Sequence, residues 1–163
     1  MLAASQIIEV EVQTVAVFGV FCRHKDQDLL VLIPETSWIA AFDSCHQFAE
    51  PGDRFIVKII HVDVESGRVS ASIKAVHPDP WAGSQLAPGT DHQARVVRYA
   101  EKADRCGDGP GYLIELMPGA YVMLCADGLS LEKDQRCAVT VCESDSSKHA
   151  VRVAIKENSG PSR

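Results

Sequence analysis

Phe18 and Phe21 stand three residues apart with Gly19 between them, in a chain whose aromatic content is only 6%. Two rings exposed side by side can stack nucleobases, a contact worth roughly 1–3 kcal/mol per base. At this spacing on a regular strand they would face opposite sides. Sharing one surface therefore requires a bulge or bend, which Gly19 permits. The alternative sends one ring into a core and leaves the other half-buried, the common fate of phenylalanine. Three cations could meet phosphate. Arg68 and Lys74 point outward along an alternating run, and Lys58 points outward between Val57 and Ile59. Arg68 is the best suited through its planar fork. It is equally placed to pair with Asp63 across a hairpin, and an ordinary solvated surface is the plain alternative for all three.

Other chemistries find little support. The six histidines (24, 46, 61, 77, 92 and 149) are scattered, and Cys45 and His46, adjacent in sequence, would point in different directions on a helix. No metal site is expected, because zinc-ligand spacing is missing. The loop Glu101–Gly111 carries acids near glycines without the pattern of a calcium loop. No serine–histidine–acid set, phosphate loop or carboxylate pair emerges, so neither catalysis nor a cofactor is expected. The six cysteines (22, 45, 106, 125, 137 and 142) form no C-x-x-C pair. Cys22, Cys125 and Cys142 lie in apolar runs, where a free thiol acts as a small hydrophobe. Reduced, buried cysteines and a cytoplasmic location are expected.

The elements that must position these residues are short strands. Ile8–Thr14 alternates Glu9, Glu11 and Gln13 with Ile8, Val10 and Val12, and Val17–His24 follows. That opening reads as a strand rather than a signal peptide, and nothing approaches a membrane span. Leu29–Ile33 is an apolar run ended by Pro34, which cannot donate to a sheet ladder. Trp38, Ala41, Phe42, Cys45 and Phe48 recur at helical spacing with Ser37 as an N-cap candidate, predicting a short helix. Phe55–Asp63 and Arg68–Lys74 form a hairpin around Glu65, Ser66 and Gly67, with Val69, Ala71 and Ile73 on its inner face.

His77–Thr90 holds three prolines and two glycines and reads as a connection. The second half then repeats the scheme: His92–Tyr99, Gly111–Met117, Ala120–Leu124, Arg136–Cys142 and Ala150–Ile155. The expected fold is all-β. Two five-stranded OB-type barrels stand in tandem, with the short helix between strands three and four of the first. Residues 1–81 form the first barrel, 82–90 the linker, and 91–163 a second, degenerate barrel with a flexible C-terminal tail. Each half is small, so the two are expected to pack together.

Charge argues against strong non-specific nucleic-acid binding. The net charge is −6; residues 1–81 carry six Lys/Arg against eleven Asp/Glu, and residues 82–163 ten against eleven. Neither half has a basic footprint.

Residues 17–81 resemble the S1 RNA-binding domain family. VFGVFCR, with Phe18, Gly19 and Phe21, is similar to the family's phenylalanine–glycine–x–phenylalanine motif on strand two. LIPETSW (Leu32–Trp38) resembles the stretch that ends in serine–tryptophan. Glu50–Lys74 resembles the closing pattern of glycine–aspartate, strand four ending in aspartate, and arginine opening a serine-rich strand five. The resemblance implies single-stranded RNA bound on one barrel face, with Phe18 and Phe21 stacking and Asp63 and Arg68 as polar contacts. Lys58 and Lys74 join them as outward cations from the alternation. A family histidine near the end of strand three has no counterpart, because Pro34 stands there. The second half is similar only in outline, with Pro110 and Leu113 roughly where the phenylalanines would be.

The expectation is a non-enzymatic protein that binds a few nucleotides of single-stranded RNA on its first barrel, with modest, salt-sensitive affinity and no membrane partner. The alternative is a protein-interaction or accessory module that kept the barrel and lost RNA. A third reading, a barrel that helps build an oligomer, rests on the apolar stretch around Trp38 and Phe42.

Overall fold

In β1 (Ile7–Val15) the alternating pattern sends Ile8, Val10 and Val12 inward and Glu9 and Gln13 to solvent. The same period-two logic builds β2 (Gly19–His24), β3 (Gln27–Leu32), β4 (Arg54–Asp63) and β5 (Arg68–Ser72). These five close into a barrel in the order β1-β2-β3-β5-β4, with β4 returning to β1 and one parallel contact, Leu30 opposite Ser70, sealing β3 to β5. The computed structural model describes residues 2–125 and 128–156. The expected flexible tail falls largely on residues 157–163, outside the described residues.

The second half forms β6 (Asp91–Ala100), β7 (Gly111–Met117), β8 (Ala120–Cys125), β9 (Arg136–Asp145) and β10 (Ala150–Ile155), in the order β10-β9-β6-β7-β8. That is the order of the first barrel cut at one seam. Here β8 and β10 lie against each other as the two ends of the sheet instead of sharing a ladder. The fold is all-β, with two five-stranded barrel-like sheets of OB type. Among the described residues, no helix is long and apolar enough to cross a membrane.

The expected helix over Trp38–Phe48 does not form; only a three-residue 3-10 turn, Cys45–Gln47, stands there. The reason lies in where the backbone donors go. Trp38 N–H donates to the Gly119 carbonyl (2.9 Å), Ala40 N–H to His149 (2.8 Å) and Cys45 N–H to Val17 (3.0 Å). Donors spent on the β7–β8 turn, the β9–β10 turn and the β1–β2 connection cannot build an i-to-i−4 ladder. Ser37 therefore caps nothing helical. Its hydroxyl accepts from the N–H of Ile39 (3.0 Å) and of Tyr121 (2.9 Å), which stitches the two halves together. The cap of the actual turn is Ser44, accepting from His46 N–H at 3.2 Å. Ala41, Phe42, Cys45 and Phe48 are nevertheless buried, as their spacing required.

Two further expectations are corrected. β5 stops at Ser72, which is buried, and Lys74 lies on a following 3-10 turn, because the Ser72 hydroxyl accepts from Ala75 N–H (3.0 Å) and turns the chain. The cysteines are not all free. Cys106 and Cys125 are disulfide-bonded, since the 3-10 turn Asp104–Cys106 folds back onto the end of β8 with 5.4 Å between the Cα atoms. Cys22 and Cys45 are buried free thiols, pushed up to about 12 and about 11 by burial.

The two cores meet. Phe48 stacks on Phe42 and Phe55, at 5.2 Å each, and its cluster continues into Leu113, Tyr121 and Met123 of the second sheet. Trp81 donates its indole N–H to the Trp38 carbonyl at 2.6 Å, and Leu86 is buried in the second core. Arg98 of β6 reaches Glu50 (3.2 Å) and Asp53 (3.6 Å) of the first half.

Candidate nucleic-acid interface

The outer face of β2, β3, β5 and β4 is organised as three rungs. Strand register fixes them. Gly19, Phe21 and Arg23 of β2 stand opposite Leu32, Leu30 and Asp28 of β3. Leu30 stands opposite Ser70 of β5, and Ser72, Ser70 and Arg68 stand opposite Lys58, His61 and Asp63 of β4. Stepping two residues either way from the Leu30–Ser70 contact brings Leu32 level with Ser72 and Asp28 level with Arg68. The middle rung thus reads Phe21, Leu30, Ser70, His61. One outer rung ends on Lys58, and the other runs Arg23, Asp28, Arg68, Asp63.

Phe18 sits just before β2 and shares the Phe21 surface. The rings are 5.9 Å apart and nearly perpendicular, 53% and 38% exposed. Gly19 makes this possible by close approach. A Cβ there would lie 2.9 Å from the Val31 carbonyl oxygen and 3.0 Å from Leu30 Cδ1. β2 therefore keeps an unbroken register with β3, and the irregularity that the spacing demanded is the bend at Val17 and Phe18, just before β2 begins. Leu32, 42% exposed, completes an apolar patch at the Phe18 end.

The polar residues divide by role. The Asp63 carboxylate accepts from the N–H of Glu65 (3.1 Å) and of Ser66 (3.4 Å), so it holds the β4–β5 turn. Hydrogen bonds from the Ser66 side chain and then its backbone hold that carboxyl below its ordinary range. Arg68 is exposed opposite Asp63, yet its guanidinium enters none of the ion pairs among the described residues. Arg23 is paired with Asp28 at 2.9 Å. Lys58 is half-buried on the β4 outer face. Lys74 stands off the rungs, past the far end of β5 from Arg68, with its ammonium 4.7 Å above the Trp38 ring.

Five of the six candidate residues (Phe18, Phe21, Lys58, Asp63 and Arg68) therefore share one face, and Lys74 does not. Sequence reasoning missed Leu30, Leu32, Ser70 and His61. The run Leu29–Ile33 shows no alternation, because both of its faces carry apolar side chains. His61 reaches the middle rung through a bulge between Ile59 and His61, which no residue type announces. Among the described residues, no group of three His, Cys, Asp or Glu is gathered to hold a metal ion.

The second barrel presents a different picture on the matching strands. On β7 and β8, Leu113 faces Met123 and Glu115 faces Tyr121 on the outer side. Leu113, Tyr121 and Met123 are buried in the cluster that holds Phe42 and Phe48. The face equivalent to Phe21 and Leu30 is thus covered by residues 37–50 of the first half.

No protein-family profile matches the chain. Among curated proteins it is 31% identical over 120 residues to the small ribosomal subunit protein bS1 of Leuconostoc lactis, covering 72% of this chain and 26% of that protein. It is 26% identical over 168 residues to the bS1 homolog of Bacillus cereus, covering 96% of this chain and 42% of the relative. A 4-hydroxy-3-methylbut-2-enyl diphosphate reductase of Clostridium acetobutylicum is 22% identical over 160 residues, covering 96% of this chain and 25% of that enzyme. The chain spans between a quarter and a little over two-fifths of the length of these relatives. Sequence similarity to the bS1 proteins and the order of strands in its closed barrel agree: the chain belongs to the S1 domain family of OB folds.

Proposed function

We propose that the chain is a non-enzymatic protein that binds single-stranded RNA on the outer face of its first barrel. The observation that carries this reading is the exposed, edge-to-face pair of Phe18 and Phe21 at one side of a rung that continues through Leu30 and Ser70 to His61. A base lies on each ring, Leu30 and Leu32 extend the apolar floor, and Ser70 and His61 offer hydrogen bonds to base edges or to ribose hydroxyls. Arg68 and Lys58, at opposite ends of the face, meet phosphates. Few cations face the strand, so affinity is modest and falls with salt. Similarity to ribosomal bS1 proteins supports the ligand class, and a cytoplasmic location fits it. The second barrel acts as the structural partner.

Fluorescence anisotropy with short single-stranded RNAs at low and moderate salt tests the reading. Phe18→Ala/Phe21→Ala is expected to lose saturable binding while keeping its thermal unfolding midpoint. Wild type that binds no RNA at low salt, where electrostatic attraction is strongest, would overturn it. A second reading, a protein-docking module, is favoured by Ile7, Ile56 and Ile60, which are exposed on the outer side of β1 and β4. It would gain if RNA binding failed.

A further inference from the structure

A groove of about 480 Å³ runs between the two barrels. Ile33, Pro34 and Trp38 line it from the first, and Arg105, Lys148 and His149 from the second. Lys74 joins them, so that three cations face one carboxylate, Asp43, in a chain whose net charge is −6. Arg105 is fixed there by Asp43 (2.9 Å) and by the Ala40 carbonyl (3.2 Å). Lys74 rests on the Trp38 ring, and Lys148 is exposed in the β9–β10 turn and enters no ion pair among the described residues. Both ammonium groups remain open to an anion.

The groove also adjoins the aromatic face. Ile33 and Pro34 directly follow Leu32, and Ile33 N–H donates to the Phe18 carbonyl at 2.9 Å, so the groove wall begins where the apolar patch ends. The matching face of the second barrel is covered by residues 37–50, so a strand leaving Phe18 finds no second platform and meets these cations instead. We infer that the inter-barrel groove binds the phosphodiester backbone of the single-stranded RNA whose bases stack on Phe18 and Phe21, with Lys74 and Lys148 as its phosphate contacts. This rests on the RNA reading above. It makes the second barrel a contributor of charge to one continuous track, and it predicts that affinity grows with RNA length beyond what the first barrel face can cover.

The test compares fluorescently labelled oligouridines of four and twelve nucleotides on the full chain. Wild type is expected to bind the twelve-mer about tenfold more tightly than the four-mer. In Lys74→Ala/Lys148→Ala that gain shrinks to about twofold while four-mer affinity stays within about twofold. Two lost phosphate contacts also reduce the slope of log K against log salt for the twelve-mer by about 1.4. Lys148→Glu, in an exposed turn where no packing is disturbed, gives the same loss of length gain, and Lys148→Arg restores it. A length gain and salt slope that survive both Lys148→Glu and the double variant would overturn the groove and leave the aromatic face standing. Wild type that binds neither oligomer would overturn the RNA reading and the groove with it.

Discussion

Phe48 of the first half meets Tyr121 of β8 edge to face, with 5.1 Å between ring centroids and 82° between planes. The contact joins two barrels that each lack the size for a large core of their own. Phe48 is 1% exposed and stacked between Phe42 and Phe55, and burial pushes the Tyr121 hydroxyl far above its ordinary pKa. The ring cluster thus fills the surface that the second barrel would otherwise offer to a ligand.

Phe48→Ala is therefore expected to destabilise the whole chain. Truncating a buried phenylalanine costs about 3–5 kcal/mol, which at this chain length lowers the midpoint by roughly 6–20 °C. Calorimetry should show one transition moving as a unit. Two transitions of which only one moves would mean that the barrels unfold independently.

Gly19→Ala tests the close approach of β2 to β3. The added methyl would lie 2.9 Å from a backbone oxygen, the carbonyl of Val31, which cannot rotate away. Overpacking of this kind costs about 1–3 kcal/mol. The strand must shift, and Phe18 and Phe21 shift with it. Expected outcomes are a lower midpoint and RNA binding weakened by more than the stability loss explains. Leu30→Ala/Gly19→Ala, which clears one of the two nearest atoms, should recover only part of the stability.

Burial was legible in the sequence wherever one side of a strand is polar. Ile8, Val10, Val12, Val69, Ala71 and Ile73 all face inward as their alternation required. The segment over Trp38–Phe48 misled because its apolar residues pack in two directions, Phe42 and Phe48 into the first core and Ile39 into the second. Helical spacing and a folded-over loop between two cores bury the same residues. Only the destinations of the backbone donors tell them apart, and those are connections remote in sequence: Gly119 for Trp38, His149 for Ala40 and Val17 for Cys45. The aromatic pair was visible as two residue types at a suggestive spacing. Its companions Leu30 and His61 emerge from strand register and a bulge, which are set by tertiary pairing.

The Cys106–Cys125 disulfide closes a loop across a sequence separation of 19. A loop of this size stabilises by about 3 kcal/mol when its bond restricts the unfolded chain. Cys106→Ser/Cys125→Ser, or wild type under reductant, should melt at a lower temperature by roughly 6–12 °C. In the native state Cys22 and Cys45 should resist alkylation at pH 8, because burial holds both thiols protonated and out of reach. Rapid labelling of either without unfolding would contradict the closed barrel.

Asp63 offers a separation of turn-holding from ligand contact. Its carboxyl lies below the ordinary value of 3.8 through hydrogen bonds from Ser66 and Glu65. A depressed native pKa contributes stability that is present above the unfolded value and lost as pH falls through the native one. Wild type should therefore lose this contribution below about pH 4, whereas Asp63→Asn, which has no proton to gain there, should show a flatter acid limb. The amide still accepts from the turn N–H groups, so the hairpin persists. Removing one negative charge opposite Arg68 should leave RNA affinity unchanged or tighten it by up to a few-fold at low salt. A tenfold loss in Asp63→Asn, with the fold intact, would instead make the carboxylate a direct RNA contact.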